Sequence, residues 1–235
     1  MYYDRMLEAR FLSRPNRFVA LVMLDGQEVV CHVKNTGRCK ELLIPGATVY
    51  IQKADNPDRK TPYDLIAVQK GQRLINMDAA APNQVFGEWA RAGNLLPSPT
   101  LVKAEAKRGA SRLDFYIESE NRKAWVEVKG VTLEEDGHVR FPDAPTERGV
   151  KHLHELEACV QDGYEAYVVF VVQMEGVTDF APNWQTHPAF GEALVQAAKS
   201  GVRVLALDCT VEVNSLCIRQ RVPVVLERNR KEVEP

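Results

Sequence analysis

Apolar and polar positions follow two different rhythms along this chain. Up to about residue 80, short apolar stretches alternate with polar ones: RFVALVML, EVVCHV, TVYIQKA, YDLIAVQ and RLINM. They are rich in β-branched and aromatic residues, and DG, NTG, IPG, NPD and KG punctuate the gaps, which predicts strands joined by turns. RCKELL has room for only one or two helical turns. Five short strands with one small helix predict a closed β-barrel of the OB type. Near AAPNQ the rhythm changes. NQVFGEWARAG has helical spacing, with Asn83 placed to cap it and Gly93 to end it. TLVKAEAKRG reads as a strand. TERGVKHLHELEACVQDG sets Val150, Leu153, Leu156, Cys159 and Val160 on one side of a helix that stops at Gly163. YEAYVVFVVQM is apolar throughout, the pattern of a strand buried on both faces. HPAFGEALVQAAKSG predicts another helix and VRVLALDCTVEV another strand. The expected fold is α+β: a five-stranded barrel over residues 1–80, then an α/β domain over 81–235 with a mixed sheet flanked by helices.

Residues 112–130, RLDFYIESENRKAWVEVKG, break the rule that charged residues avoid strand centres. LDFYI and AWVEV predict a hairpin about the polar SENR. A turn centred on Glu120-Asn121 pairs residues whose numbers sum to 241, which sets Asp114 opposite Glu127. By strand alternation Asp114 and Tyr116 share one face, with Leu113, Phe115 and Ile117 on the other. Trp125, Glu127 and Lys129 share a face too, and an aromatic there is odd for a solvent-facing surface. Opposed carboxylates repel, so they call for a cation. Lys129 supplies part of that charge, and Mg²⁺ or Mn²⁺ the rest. Asp114, Glu127 and the Val128 carbonyl are the candidate ligands, since hard divalent cations prefer oxygen. Metal, carboxylates and lysine together suit hydrolysis of a phosphodiester. Glu88, on the helix before the hairpin, is a candidate further ligand. Lys103 and Glu105 alternate on the preceding strand and are weaker candidates.

The chain has 235 residues and a net charge of −2, so no global basic signature points to nucleic acid and any such partner must meet a local patch. Around the NTG turn lie His32, Lys34, Arg38 and Lys40, and RKTPY adds Arg59 and Lys60. Arg112 precedes the hairpin. Arg148, Lys151 and His152 crowd the first turns of TERGVKHLHEL, where the helix macrodipole disfavours cations. They read equally as a solvated polar face or as a phosphate-facing one. His152 and His154 lack metal-ligating neighbours in sequence and read as non-ligands. Five cysteines without a Cys-x-x-Cys pair read as buried thiols in a reducing cytoplasm. No apolar stretch is long enough to span a membrane, and the start of the chain lacks a signal-peptide pattern.

Several strings taken together, HVKNTGR with ELLIPG, RKTPYDL, EAKRGASRLDF, WVEVKGVTL and FPDAPTERGVKHLHEL, resemble the SfsA family of sugar fermentation stimulation proteins. The likeness runs in order from about residue 10 to 226. It implies an OB-fold followed by a restriction-endonuclease-like PD-(D/E)xK nuclease domain. By the same resemblance Asp114, Glu127 and Lys129 take the nuclease core positions and Glu88 the helix glutamate. The implied partner is DNA or RNA, with monomer and homodimer both open. Three positions depart from the family pattern: Lys34, Gly130 and Pro145. Gly130 threatens the placement of Lys129 by loosening the strand. Two functions compete: a metal-dependent nuclease, and a non-catalytic DNA-binding regulator of sugar (maltose) utilisation genes. A nucleotide or sugar-phosphate sensor finds no glycine-rich phosphate loop to support it.

Overall fold

A computed structural model describes residues 1–35, 37–56, 58–109 and 111–228. Thr36 of the expected NTG turn and Pro57 of the NPD turn fall outside them.

The first half is a closed barrel. Its strands are β1 (Met6–Asn16), β2 (Val19–Leu24), β3 (Gln27–Val33), β4 (Thr48–Lys53) and β5 (Tyr63–Lys70), ordered β3-β2-β1-β4-β5 and closed by parallel β3–β5 pairing. A short β6 (Arg73–Asn76) extends β5 as a hairpin. The five-stranded barrel is as expected, but its membership differs. RLINM forms the extension, and β1 takes the fifth barrel place. In β1 only Ala9 and Phe11 are buried, and two register shifts against β2 disrupt its alternation, so the hydrophobic pattern alone does not reveal it. RCKELL forms hydrogen-bonded turns rather than a helix. The DG turn joins β2 to β3 with φ of +49° at Asp25 and +79° at Gly26, the left-handed pair a two-residue hairpin turn needs.

Beyond it come α1 (Ala81–Arg91), β7 (Leu101–Arg108), β8 (Ser111–Ser119), β9 (Arg122–Val131), β10 (Glu134–Glu135), β11 (His138–Phe141), α2 (Glu147–Gln161), β12 (Glu165–Val172), β13 (Asp179–Pro182), α3 (Pro188–Lys199), β14 (Arg203–Glu212) and β15 (Ser215–Val222). Six of these strands form a mixed sheet in the order β15-β14-β12-β9-β8-β7, with β12 parallel to both neighbours. Between two helical layers β12 is almost wholly buried, as its unbroken apolar sequence requires. One face packs α1 through Val85 and Phe86 against Phe115, Ile117, Val126 and Val128. The other packs α2 and α3 through Leu153, Leu156, Phe190 and Leu194. That second cluster continues into the barrel interior. β10, β11 and β13 make a small separate sheet that the sequence pattern did not announce. Residues 1–3 cross from the barrel to the large sheet, where Tyr3 N donates to Asn214 O at 2.8 Å and Tyr2 bridges Ser215.

Candidate active site on the central hairpin

The hairpin register is the expected one. Ser119 opposes Arg122, leaving Glu120-Asn121 as the turn, and Tyr116 opposes Trp125. The ladder pairing ends at Phe115↔Val126, and one residue further Asp114 enters the gap. Its Oδ2 accepts the Val128 amide at 2.8 Å, so a carboxylate takes a backbone hydrogen bond there. Its Oδ1 accepts from Asn83 Nδ2 at 3.1 Å. Simple alternation fails at this point: Leu113 packs in the cluster under α2, whereas Phe115 and Ile117 pack under α1.

Glu127 follows on β9 and is only 3% exposed. One oxygen, Oε1, carries both of its partners: Lys129 Nζ at 2.5 Å and His152 Nδ1 from α2. The other, Oε2, is buried with no hydrogen-bond partner. An ionised oxygen left bare in a buried site is costly, so the arrangement gives reason for a further positive group. Burial drives the Asp114 carboxyl upward from its ordinary pKa, helped by the neighbouring Glu127 charge. Burial also raises Glu127, but the His152 hydrogen bond and the Lys129 charge outweigh it and hold that carboxyl below the usual range. Trp125, on the same face, is buried and meets Tyr116 with ring centroids 4.6 Å apart, so this face is a packed wall rather than a solvent surface.

His152 is 7% exposed and belongs to the packed side of α2, with Gly149, Leu153 and Leu156. It therefore does not sit on a phosphate-facing polar surface. The signal was in the helical phase, since residues 149, 152, 153 and 156 share one face. Arg148 Nε approaches the outer ring nitrogen at 3.3 Å. Arg148 and Lys151 are exposed, with Lys151 near Glu155 at 3.6 Å. Glu88 is not placed with the hairpin carboxylates: it pairs with the Met1 ammonium at 2.8 Å, which also bonds Leu216 O on β15. Asn83 does not cap α1, which Ala80 precedes without a side-chain cap. It sits inside the first turn and reaches Asp114.

Gly130 has a steric reason. A Cβ there would lie 2.7 Å from both Pro82 Cγ and Gln173 Oε1, so glycine lets α1 and the residue that follows β12 close on the strand that carries Lys129. Of the other cations, Lys34 is bound to Asp78 at 2.6 Å, Arg59 to Asp64 at 2.7 Å and Arg112 to Glu105 at 3.4 Å. Arg38, Lys40 and Lys60 are exposed, as is Lys103 on β7. Among the described residues no cluster of three or more His, Cys, Asp or Glu forms a ready-made ligand set.

Comparison with known proteins fixes the ancestry. Residues 80–215 match the sugar fermentation stimulation protein RE domain, and residues 12–77 match the SfsA N-terminal OB domain. The chain belongs to the SfsA family. It is 58% identical over 226 residues to a sugar fermentation stimulation protein homolog of Clostridium beijerinckii, covering 96% of this chain and 100% of that one. A homolog from Desulfitobacterium hafniense is 59% identical over 216 residues, with 92% and 94% covered. Among solved structures, Pyrococcus furiosus SfsA in complex with Ca²⁺ superimposes with a TM-score of 0.87 at 30% identity, covering 96% of this chain and 98% of that one. The SfsA RE domain spans Asp114, Glu127, Lys129 and His152 alike.

Proposed function

We propose that this SfsA-family protein is a divalent-metal-dependent nuclease that hydrolyses phosphodiester bonds in DNA, RNA or both. The observation that carries the reading is Glu127: buried, ionised, saturated on one oxygen and bare on the other, with Asp114 beside it in the opened ladder. Two carboxylates suit a hard cation such as Mg²⁺ or Mn²⁺, which keeps waters in the remaining positions. The SfsA structure from Pyrococcus furiosus was solved with Ca²⁺, another oxygen-seeking cation. Asp114 and Glu127, with the Val128 carbonyl, would hold the metal, which supplies an acidified water and offsets charge on the phosphate. Asn83 and the Val128 amide fix the rotamer of Asp114. His152 and Lys129 fix Glu127 through Oε1, which leaves Oε2 as the oxygen without a partner. Lys129, as an ammonium, then orients the attacking water or steadies the phosphate oxygens as charge builds.

Cleavage of labelled single-stranded DNA, duplex DNA and RNA, with Mg²⁺, Mn²⁺ or EDTA, tests the reading. Metal-dependent cleavage that falls at least about 100-fold in both Asp114→Ala and Lys129→Ala is expected. No cleavage of any substrate, with tight salt-sensitive binding unchanged in both variants, would instead make the protein a DNA-binding regulator.

A further inference from the structure

Glu127 is held through a relay that ends in a cation. His152 Nδ1 reaches Glu127 Oε1, and at the other side of the ring Arg148 Nε donates to His152 Nε2 at 3.3 Å. An arginine can only donate, so Nε2 is the acceptor in this contact and the ring proton sits on Nδ1, toward Glu127. Helix α2 arranges this by spacing, since residues 148 and 152 are i and i+4 on it. One imidazole ring therefore separates the Arg148 guanidinium from the carboxylate whose second oxygen has no partner.

No contact within the chain accounts for that charge. Arg148 is exposed and makes no ion pair among the described residues. The acids of the same helix face are committed elsewhere. Glu147 approaches His187 at 3.3 Å, and Glu155 takes the Ser111 hydroxyl and meets Lys151 at 3.6 Å. Arg148 stands in the first turn of α2, where the macrodipole disfavours a positive charge. Its contact with His152 uses Nε, which leaves both terminal nitrogens without a partner among the described residues. Such a planar fork matches two oxygens of a phosphate group. Cleavage of a phosphodiester also adds negative charge to the phosphate, and a guanidinium tethered beside the site is placed to meet it.

We propose that Arg148 is the phosphate-binding residue of the hairpin site, a guanidinium that His152 tethers next to Glu127. Its ligand is a phosphate group of a nucleotide or a polynucleotide strand. For the reaction this rests on the nuclease reading; for the binding it rests on the relay alone. Arg148 is exposed and the Thr146 hydroxyl caps the helix through the Gly149 amide, so variants at 148 are expected to fold.

Thymidine 5′-monophosphate is the probe, because it carries the phosphate but no diester bond to cleave. Its binding to the full chain with Mg²⁺ is followed by ³¹P NMR. Arg148→Ala is expected to weaken binding at least about tenfold, through loss of charge-assisted hydrogen bonds. Arg148→Lys is expected to stay at least about threefold weaker than wild type, because an ammonium restores the charge and not the fork. Lys199→Ala, exposed at the end of α3, is expected to change binding less than about twofold. Nitrogen-15 spectra of the metal-free chain read the tether separately: His152 is expected as the Nδ1–H tautomer, with its Nε2 signal moved in Arg148→Ala. A wild type that does not bind the probe overturns the proposal. So does an Arg148→Ala chain that moves the His152 signal yet binds like wild type, which would make Arg148 a positioning residue only. Arg148-dependent probe binding by a chain that cleaves no DNA or RNA defeats the nuclease reading and spares the phosphate site. Cleavage and probe binding that both survive Arg148→Ala do the reverse.

Discussion

At Gly130 a single hydrogen atom in place of a methyl group decides how closely three elements meet. Gln173, which crowds it, cannot swing away freely, because its amide donates to Asn76 Oδ1 at 2.9 Å and to Asp78 O at 3.0 Å in a buried setting. Pro82 is equally fixed in the first turn of α1. Gly130→Ala is therefore expected to destabilise the chain by about 1–3 kcal/mol, read from urea midpoints. It is also expected to shift Lys129, so on the proposed nuclease function cleavage should fall more than folding does. His152 is the second residue whose role is local and specific. Replacing it with Ala removes a buried donor to Glu127 and leaves a cavity on α2, with an expected cost of about 2–3 kcal/mol at pH 7. His152→Gln, which retains a donor, is expected to recover part of that loss in the same denaturation series.

Among the elements, the three parallel strands of the sheet are tied at their starts. Arg122, the first residue of β9, grips Glu165, the first of β12, through two hydrogen bonds of 2.6 and 2.8 Å. Arg203, the first of β14, adds a third at 2.7 Å, and Tyr167 a fourth at 2.6 Å. Parallel pairing puts these residues side by side, so the clamp follows from topology. The Arg122 guanidinium holds the Glu165 carboxyl down at about 2 despite the opposing effect of burial. A carboxyl whose pKa is lower folded than unfolded stabilises fully above its unfolded value, near 4.3. That stabilisation is lost as pH falls from there toward 2. Arg122 is 38% exposed on its side chain, so screening trims the effect to about 1–2 kcal/mol. The stability gap between wild type and Glu165→Gln is expected to be widest at pH 5–7 and to narrow steadily as pH falls from about 4 toward 2, measured by urea denaturation across that range.

For the whole molecule, buried polar contacts join barrel to sheet. Glu134, 3% exposed, receives Lys70 at 2.7 Å and Arg73 at 2.5 Å from the barrel side. Asp78, 2% exposed, receives Lys34, and the Asn76 amide donates to Gln173 O at 2.9 Å. The shared apolar cluster runs between the same parts. The two halves are thus expected to unfold in one transition. The three tryptophans, Trp89, Trp125 and Trp184, all lie in the second half, so their fluorescence reports that half while far-ultraviolet dichroism reports both. Coincident wild-type curves are expected. In Glu134→Ala, which strands two cations over a buried site, a loss of about 2–3 kcal/mol and separation of the two curves are expected.

Local pattern was enough for what depends on neighbours in sequence. It determined the hairpin and its register from Phe115↔Val126 to the turn, because alternating apolar residues leave one pairing that buries both sets, but not the place of Asp114, where the ladder opens and the carboxylate takes the Val128 amide. It determined α2 and the buried β12, and the motif strings marked the family. Tertiary structure decided what depends on contacts between distant segments. Glu88 went to the chain's amino end, Asn83 to Asp114, and His152 from the polar face to Glu127, since helix phase fixes a direction but not what waits there. Strand β1 took its place through pairing with β2 and β4 rather than through its own weak pattern. Which cations stay exposed was likewise settled by where the acids lie: Asp78 and Asp64 claim Lys34 and Arg59, while Arg38 and Lys40 stay exposed.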